Sequence, residues 1–396
     1  LVRSRGLGDV YKRQALALCD ELGVATVAAA PTARRRWVFI DGKLQPVPDG
    51  PLALLRSDLL TWRGKLELLR EPLRGGGAVA DESVHDFAVR RLGAEAARAL
   101  VAPMVTGIYA ARAHDVSLAA GFPRLAALAA DGGLVRGMLR AARRTRAAGG
   151  PPARRGLFAP VDGLGSLVEA LVRSLGPRVR CGAPVRHVRC VDRGDAVEIE
   201  LAGEALRVDA AVLAVPARVA AGLVVGAPEL AAQLGGLTRA PAAVVHLGFG
   251  GPVAAATEGF GALIADGEAP RVLGIIFESS LWPGRAPAGH TLLRLIYGGQ
   301  RDPEAVTLDD ATLLAQAERD VALVLGEHAV PVRRGVTRWR DGIAGMPVGH
   351  AARLETVRRA AAPHRLVLAG AGYHGVAVND LCADGRRVAA DVARLT

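Results

Sequence analysis

The stretch that decides the fold is RLVLAGAGYHGVAVNDLCADGRRVAADV, residues 365–392. Leu366 to Ala369 reads as a buried strand that runs into Gly370 and Gly372, and Gly375 then opens a helix. Such a corner lets backbone approach a ligand closely. The helix start presents free N–H groups and the positive end of its dipole, which suits a phosphate or other negative charge. Asn379 and Asp380 fall in the first turn, where they can cap or hydrogen-bond. Glycine corners between strands and helices are common, so this one becomes informative through what precedes it.

Upstream, residues 156 onward alternate strands and helices. A short amphipathic helix covers Gly165–Leu175. Strands are expected at Val179–Val191, Ala196–Leu201, Ala211–Val215, Pro241–Phe249, Arg271–Glu278, Thr291–Tyr297 and Val332–Trp339. Helices are expected at Leu308–Leu325 and Ala352–Ala361. Earlier, RRWVFIDGKLQPV alternates and turns at Asp41-Gly42, a strong hairpin signal. Residues 52–146 are mainly helical by period, with Asp81-Glu82-Ser83-Val84 starting a helix that Gly93 stops. Residues 141–155 read as a linker.

Composition removes several classes. An apolar fraction of 51% excludes a disordered chain, and 396 residues suggest two or three domains. The net charge of +11 rests on arginine, with Lys12, Lys43 and Lys65 the only lysines. At 4% aromatic the chain lacks a stacking platform for single strands, and no nucleic-acid motif is present, so nucleic acid is not an expected partner. Cys19, Cys181, Cys190 and Cys382 show no metal or disulfide spacing, and no run of about 18 apolar residues is found. No metal site and no Ser-His-Asp arrangement is expected among the nine histidines. The compartment read from the cysteines is cytoplasmic.

The order of segments carries a resemblance. LAGAGYHGVAVND is similar to the C-terminal flavin-contacting motif of the protoporphyrinogen oxidases, within the flavin amine-oxidase superfamily. RRRWVFIDGKLQPVP (34–48) resembles the family's early substrate hairpin, and PMVTGIYAARAHDVSLAAGFPRL (103–125) its helical segment. VDGLGSLVEAL, GAPVRHV and AAVLAVPA follow the family's path along the cofactor, while GFGALI, VLGIIFESSLWPGRAP and LLRLIYGG resemble its substrate sheet. These segments occur in the family's order from about Ala15 to the C-terminus.

The resemblance implies an α/β protein: a split FAD-binding domain of the amine-oxidase type, a mixed-sheet substrate domain and a helical membrane-facing insert. Residues 1–14, LVRSRGLGDVYKRQ, show no initiator Met, no signal-peptide pattern and no periodicity that continues into Ala15, and read as a non-native leader. The resemblance gives 15–50 as the start of the substrate domain and 51–150 as the insert. Residues 151–225 and 351–396 then form the FAD-binding parts, with 226–350 the substrate domain. The implied cofactor contacts are Val185, Ala214, Val215, Pro216, Trp339, Gly370, Ala371, Gly375, Val376, Val378 and Asn379. The implied substrate contacts are Arg36, for a propionate, and Phe260, Gly261, Leu263 and Ile296, as apolar walls. No side chain is assigned a catalytic role, since the flavin carries the chemistry.

The activity implied is oxygen-dependent oxidation of protoporphyrinogen IX to protoporphyrin IX in three two-electron steps. Coproporphyrinogen III oxidation, another amine-oxidase-type flavoenzyme such as a carotenoid desaturase, and a non-catalytic tetrapyrrole- or membrane-binding remnant stand as alternatives. Partners are the porphyrinogen and molecular oxygen, with a homo-oligomer left open.

Arg34 and Arg36 share a face if residues 34–36 are extended, so both compete for the propionate. His374 reads as a partly exposed loop residue. Leu134–Arg146 places Leu134, Val135, Met138, Leu139 and Ala142 opposite Arg136, Arg140, Arg143 and Arg144. Such a helix is either a solvated basic face or a peripheral contact with the inner face of the cell membrane.

The chain also departs from the family. Leu381 and Cys382 shift its Asn-Asp-Cys pattern by one place, and Ala344-Gly345-Met346 replaces a Pro-Gln-Tyr-type triplet. No strand and G-x-G-x-x-G turn precedes Ala15. The expectation is therefore of a chain lacking roughly sixty residues of the dinucleotide-binding unit.

Overall fold

The computed structural model describes residues 13–74, 79–130, 133–147, 156–191, 194–254 and 257–395. The expected leader, up to residue 12, and linker residues 148–155 lie outside them. The described chain divides into two compact units. One comprises residues 27–158 and 239–348, the other residues up to 26, 159–238 and 349–396.

The first unit is built on a seven-stranded mixed sheet. Its order is Arg333–Ala344, Arg239–Phe249, Thr291–Gly298, Gly274–Phe277, Gly261–Ile264, Trp37–Ile40 and Lys43–Pro46. All neighbours are antiparallel except Gly261–Ile264 with Trp37–Ile40. The hairpin turns at Asp41 and Gly42, both at positive φ, as a two-residue turn matched to strand twist requires.

Period-two alternation sends Ala243, Val245, Leu247, Leu293, Leu295, Tyr297, Ile275 and Phe277 to one face. There the helix Asp310–Leu325 covers them with Leu313, Ala317, Val321 and Val324. Each buried leucine contributes about 1.5–3 kcal/mol of hydrophobic stabilisation. The opposite face is only half covered. The helix Ala102–Tyr109 approaches it through Gly107, where a Cβ would stand 2.6 Å from a Leu263 methyl.

The helical part of this unit is pinned by a buried ion pair. Glu71 accepts from the guanidinium of Arg91, including Nε at 3.1 Å, with both side chains 2% exposed. The same carboxylate accepts the Leu134 N–H at 2.8 Å and the Val135 N–H at 3.2 Å, capping the basic helix Leu134–Ala147.

The second unit holds a four-stranded sheet ordered Ala205–Val208, Ala196–Leu201, Val185–Val191 and Val224–Val225. Beside it stands a parallel pair, Leu366–Leu368 with Ala211–Leu213. Its core gathers Val188, Val197, Leu213, Leu230, Leu234, Val357, Leu366 and Leu368.

Several boundaries differ from the sequence reading. Residues 15–26 fall in the second unit because the helix Arg13–Glu21 packs on the last helix, Val378–Ala393. Residues 226–238 fall there too, because the helix Pro228–Gly235 packs on Ala217–Leu223 and His350–Ala361. Helix continues through Ala147, into the expected linker. The strand expected at Arg271–Glu278 shrinks to Gly274–Phe277, since Glu278 opens a helical turn. Pro31–Arg34 forms a 3₁₀ turn with Pro31 at its start, so Arg34 is not on a strand beside Arg36.

Candidate functional site

In the second unit the chain leaves Leu366–Leu368 and turns through Gly370, Gly372 and Gly375, with φ of 110°, 98° and 127°, before entering the helix Val378–Ala393. At Gly375 glycine is required twice over: φ is positive and a Cβ would stand 2.8 Å from that of Asp380. At Gly370 no atom lies within 4 Å of where a Cβ would project, so the corner is open. The N-cap, Ala377, supplies no side-chain cap to the helix. Open space, glycine backbone and uncapped first-turn N–H groups make a donor set suited to an anionic or carbonyl oxygen.

Side chains from two helices hold this corner. Asp384, 2% exposed, accepts the Gly370 N–H on Oδ2 at 3.1 Å and faces His374 Nδ1 through Oδ1 at 2.9 Å. Arg387 donates to Asp384 Oδ1 from Nε at 3.0 Å and from a terminal nitrogen at 2.8 Å. From the helix His350–Ala361, His350 Nε2 meets the Gly372 carbonyl at 2.9 Å and Arg358 meets His374 Nε2 at 2.6 Å. Burial pushes the His374 imidazole below its ordinary pKa. The charges of Arg387 and Arg358 act in the same sense, against Asp384.

Of the expected cofactor contacts, Gly370, Ala371, Gly375, Val376, Val378 and Asn379 are brought together at this corner. Asn379 spends its Oδ1 on the Ala15 N–H at 3.1 Å. Ala214, Val215 and Pro216 follow the strand Ala211–Leu213, which pairs with Leu366–Leu368, so they leave the parallel pair at the same end as the corner. Val185 opens the strand Val185–Val191 in the neighbouring sheet. Trp339 belongs to the other unit, on Arg333–Ala344 opposite Ala242, and is half exposed.

In the first unit, register aligns Leu263 with Gly274 and Gly274 with Ile296 on the half-covered face. The middle residue has no side chain, so the two branched residues flank a shallow floor. A Gly274 Cβ would stand 3.1 Å from a Leu263 methyl. Gly261 lies two residues from Leu263, opposite Ile276, at φ 155°. At the end of the same strand the Arg36 guanidinium lies over the Phe260 ring, 5.4 Å from its centroid. Arg35 is engaged elsewhere, by Glu258 at 3.2 Å. Thus Arg36, Phe260, Gly261, Leu263 and Ile296 share one region of one sheet.

Two sets of residues escaped sequence reasoning. His374 is the partly exposed loop residue that the sequence suggests, but its contacts with Asp384 and Arg358 carried no sequence signal. The half-covered face also carries His246 opposite Arg294, whose guanidinium meets the buried Glu278 at 2.6 Å. Burial and Arg294 push His246 below its ordinary pKa, with Glu278 opposing. The only sequence signal for His246 and Arg294 was position on alternating strands, which does not tell a site face from a surface.

Comparison with known proteins adds an independent line. The family described as flavin containing amine oxidoreductase matches residues 7–393. The human protoporphyrinogen oxidase is 31% identical over 408 residues, covering 95% of this chain and 84% of that protein. The coproporphyrinogen III oxidase of Mycobacterium bovis is 31% identical over 374 residues, covering 91% and 79%. A crystal structure from an Exiguobacterium species superposes with a TM-score of 0.81 at 23% identity, covering 97% of this chain and 86% of that one.

Proposed function

The chain belongs to the family of flavin-containing amine oxidoreductases, and on that premise we propose that it oxidises protoporphyrinogen IX to protoporphyrin IX, with oxygen as the electron acceptor. It is an oxidoreductase whose cofactor is FAD. The corner at Gly370–Gly375 fits such a group, being open, lined by backbone, and followed by a helix start without a side-chain cap. When bound there, FAD would supply the hydride-accepting and oxygen-reducing chemistry of the reaction.

The chain's own residues bind and orient. The observation that carries the reading is the floor formed by Leu263, Gly274 and Ile296 beside the Arg36–Phe260 stack. A porphyrinogen is a broad apolar macrocycle bearing carboxylates, and it needs a flat apolar surface with a cation at the edge. Arg36 pairs with one propionate through its planar fork, and Phe260 holds that fork in orientation. Leu263 and Ile296 exclude water from the pyrrole faces.

The two tetrapyrrole oxidases above are equally identical to this chain, so identity does not choose between their substrates. The charge on the sheet face favours protoporphyrinogen. Arg294, the other arginine on that register, is already bound by Glu278, whereas two further carboxylates would call for further cations.

The test is to load the chain with FAD and supply protoporphyrinogen IX and coproporphyrinogen III separately, following porphyrin fluorescence. Faster turnover of protoporphyrinogen IX is expected. Failure to oxidise either by a flavin-loaded chain would overturn the reading.

The same unit carries a surface suited to peripheral membrane contact. Val135, Met138 and Leu139 are exposed on the basic helix, Leu73 on the turn Glu71–Leu73 packed beside it, and Trp62, Leu66 and Leu69 on the helix Trp62–Leu69 that packs on that turn. Exposed apolar groups among arginines match the boundary of an anionic bilayer. Among the described residues no helix is long and apolar enough to cross a membrane.

A further inference from the structure

The corner is held by an arrangement that fixes the state of one side chain. Arg358 carries only donors, so its 2.6 Å contact with His374 requires Nε2 to accept, and the ring proton must lie on Nδ1. The protonated Nδ1 then stands 2.9 Å from the Asp384 carboxylate, which stabilises a proton on that nitrogen. The 3.1 Å approach of Arg387 to the same Nδ1 sets donor against donor, and Arg387 bonds Asp384 instead. Asp384 therefore holds the corner at both ends: Gly370 where the strand finishes, and His374 one residue before Gly375.

We propose that Asp384 and His374 are positioning residues for the flavin, with His374 acting in its neutral form, protonated on Nδ1 alone. The inference rests on the FAD reading of this corner and goes beyond it by naming side chains that hold the glycine backbone in place. A single carboxylate sets the spacing of the corner's ends, which sets where the glycine backbone meets the ligand. Protonating His374 would point a second N–H at the Arg358 guanidinium, break that contact and release the ring.

The charged groups that face the ring are Arg358 from one helix and Asp384 and Arg387 from the other. Glu355, 3.8 Å from Arg358, and Asp391, bound to Arg387, stand behind them. The lowered pKa of His374 has the sign this arrangement requires.

The experiment measures FAD affinity of the 396-residue chain by flavin fluorescence between about pH 5 and 8, where imidazole titrates. Circular dichroism of each variant confirms folding. The parent is expected to lose affinity towards acid, by about tenfold, the worth of one hydrogen bond to a charged group. His374→Asn keeps a donor near Nδ1 but cannot titrate, and should hold its affinity with a flat profile. His374→Leu should be about tenfold weaker at pH 8. Nitrogen-15 shifts of labelled histidine in the FAD-free chain should show Nε2 unprotonated.

A His374→Leu chain with the parent's affinity and pH profile would overturn the positioning role, as would a proton found on Nε2 at neutral pH. A folded parent that takes up no FAD at any pH would overturn the flavin reading itself, and this inference with it.

Discussion

The guanidinium of Arg36 lies over the ring of Phe260, 5.4 Å from its centroid, and the Phe260 N–H donates to the Arg35 carbonyl at 2.8 Å. Backbone pairing thus brings residues more than two hundred positions apart into fixed contact, and the stack orients a cation at the edge of an apolar sheet face. Such a contact contributes about 0.5–2 kcal/mol. Its larger consequence is that the fork is oriented before a carboxylate arrives.

Arg36→Ala is expected to reduce kcat/KM for protoporphyrinogen IX about 10- to 100-fold, the worth of a charge-assisted hydrogen bond, while FAD affinity stays unchanged. Arg36→Lys keeps the charge but not the planar fork and should recover only part of the loss. Steady-state porphyrin fluorescence measures both. Unchanged kcat/KM in Arg36→Ala would remove the propionate assignment.

Gly274→Val places branched carbons where a single Cβ already stands 3.1 Å from the Ala262 carbonyl and a Leu263 methyl. A stability loss of about 1–3 kcal/mol is expected from overpacking. Because the added carbons also fill the floor between Leu263 and Ile296, KM for the macrocycle should rise. Urea unfolding and initial rates separate the two effects.

Glu71→Ala leaves Arg91 buried and unpaired, and strips the Leu134 and Val135 N–H groups of their acceptor. Loss of a buried pair in this way costs about 3–5 kcal/mol. A urea midpoint shifted by less than 1 kcal/mol equivalent, at unchanged slope, would show that the pair contributes little.

His246, with its pKa lowered chiefly by burial and then by Arg294, gives a pH dependence of defined sign. The unfolded chain takes up its imidazole proton near the ordinary value, about 6.5, before the folded chain does. Its contribution to stability is therefore present above that value and is lost as pH falls towards the depressed one. His374 contributes with the same sign. In His246→Gln the loss of stability between pH 7.5 and acid should shrink but not vanish, as urea unfolding at several pH values would show.

Leu139→Asp and Trp62→Asp place a carboxylate in the apolar surface near the basic helix, where the parent residues are 58% and 75% exposed. Flotation with phosphatidylglycerol vesicles should fall several-fold for either variant and weaken with added salt in the parent. Equal flotation of parent and variants would dismiss the membrane contact.

Much of this was legible in the residues themselves. Asp41-Gly42 announces its hairpin, because few residue pairs accept two successive positive φ values. Ser83 announces a helix start, and its hydroxyl does accept the Asp86 N–H at 3.0 Å. The glycines at 370, 372 and 375 mark a turn for the same steric reason. Asp384 gave no such signal, since an aspartate within a helix is ordinarily a solvated one. Neither Glu71 nor Gly274 carries a local signal of its role, since an acid near a turn and a glycine in a strand are common in sequence.

The sequence by itself determined the local conformations and the order of motifs, because those depend on steric limits and on period, which act within a few residues. The tertiary structure alone decided which residues meet. It sets a glycine between Leu263 and Ile296, a carboxylate across the two ends of the corner, and Glu71 under a helix sixty-three residues further on. Those pairings follow from strand register and helix packing. Their energy comes from burying many side chains together, a property that no short stretch of chain contains.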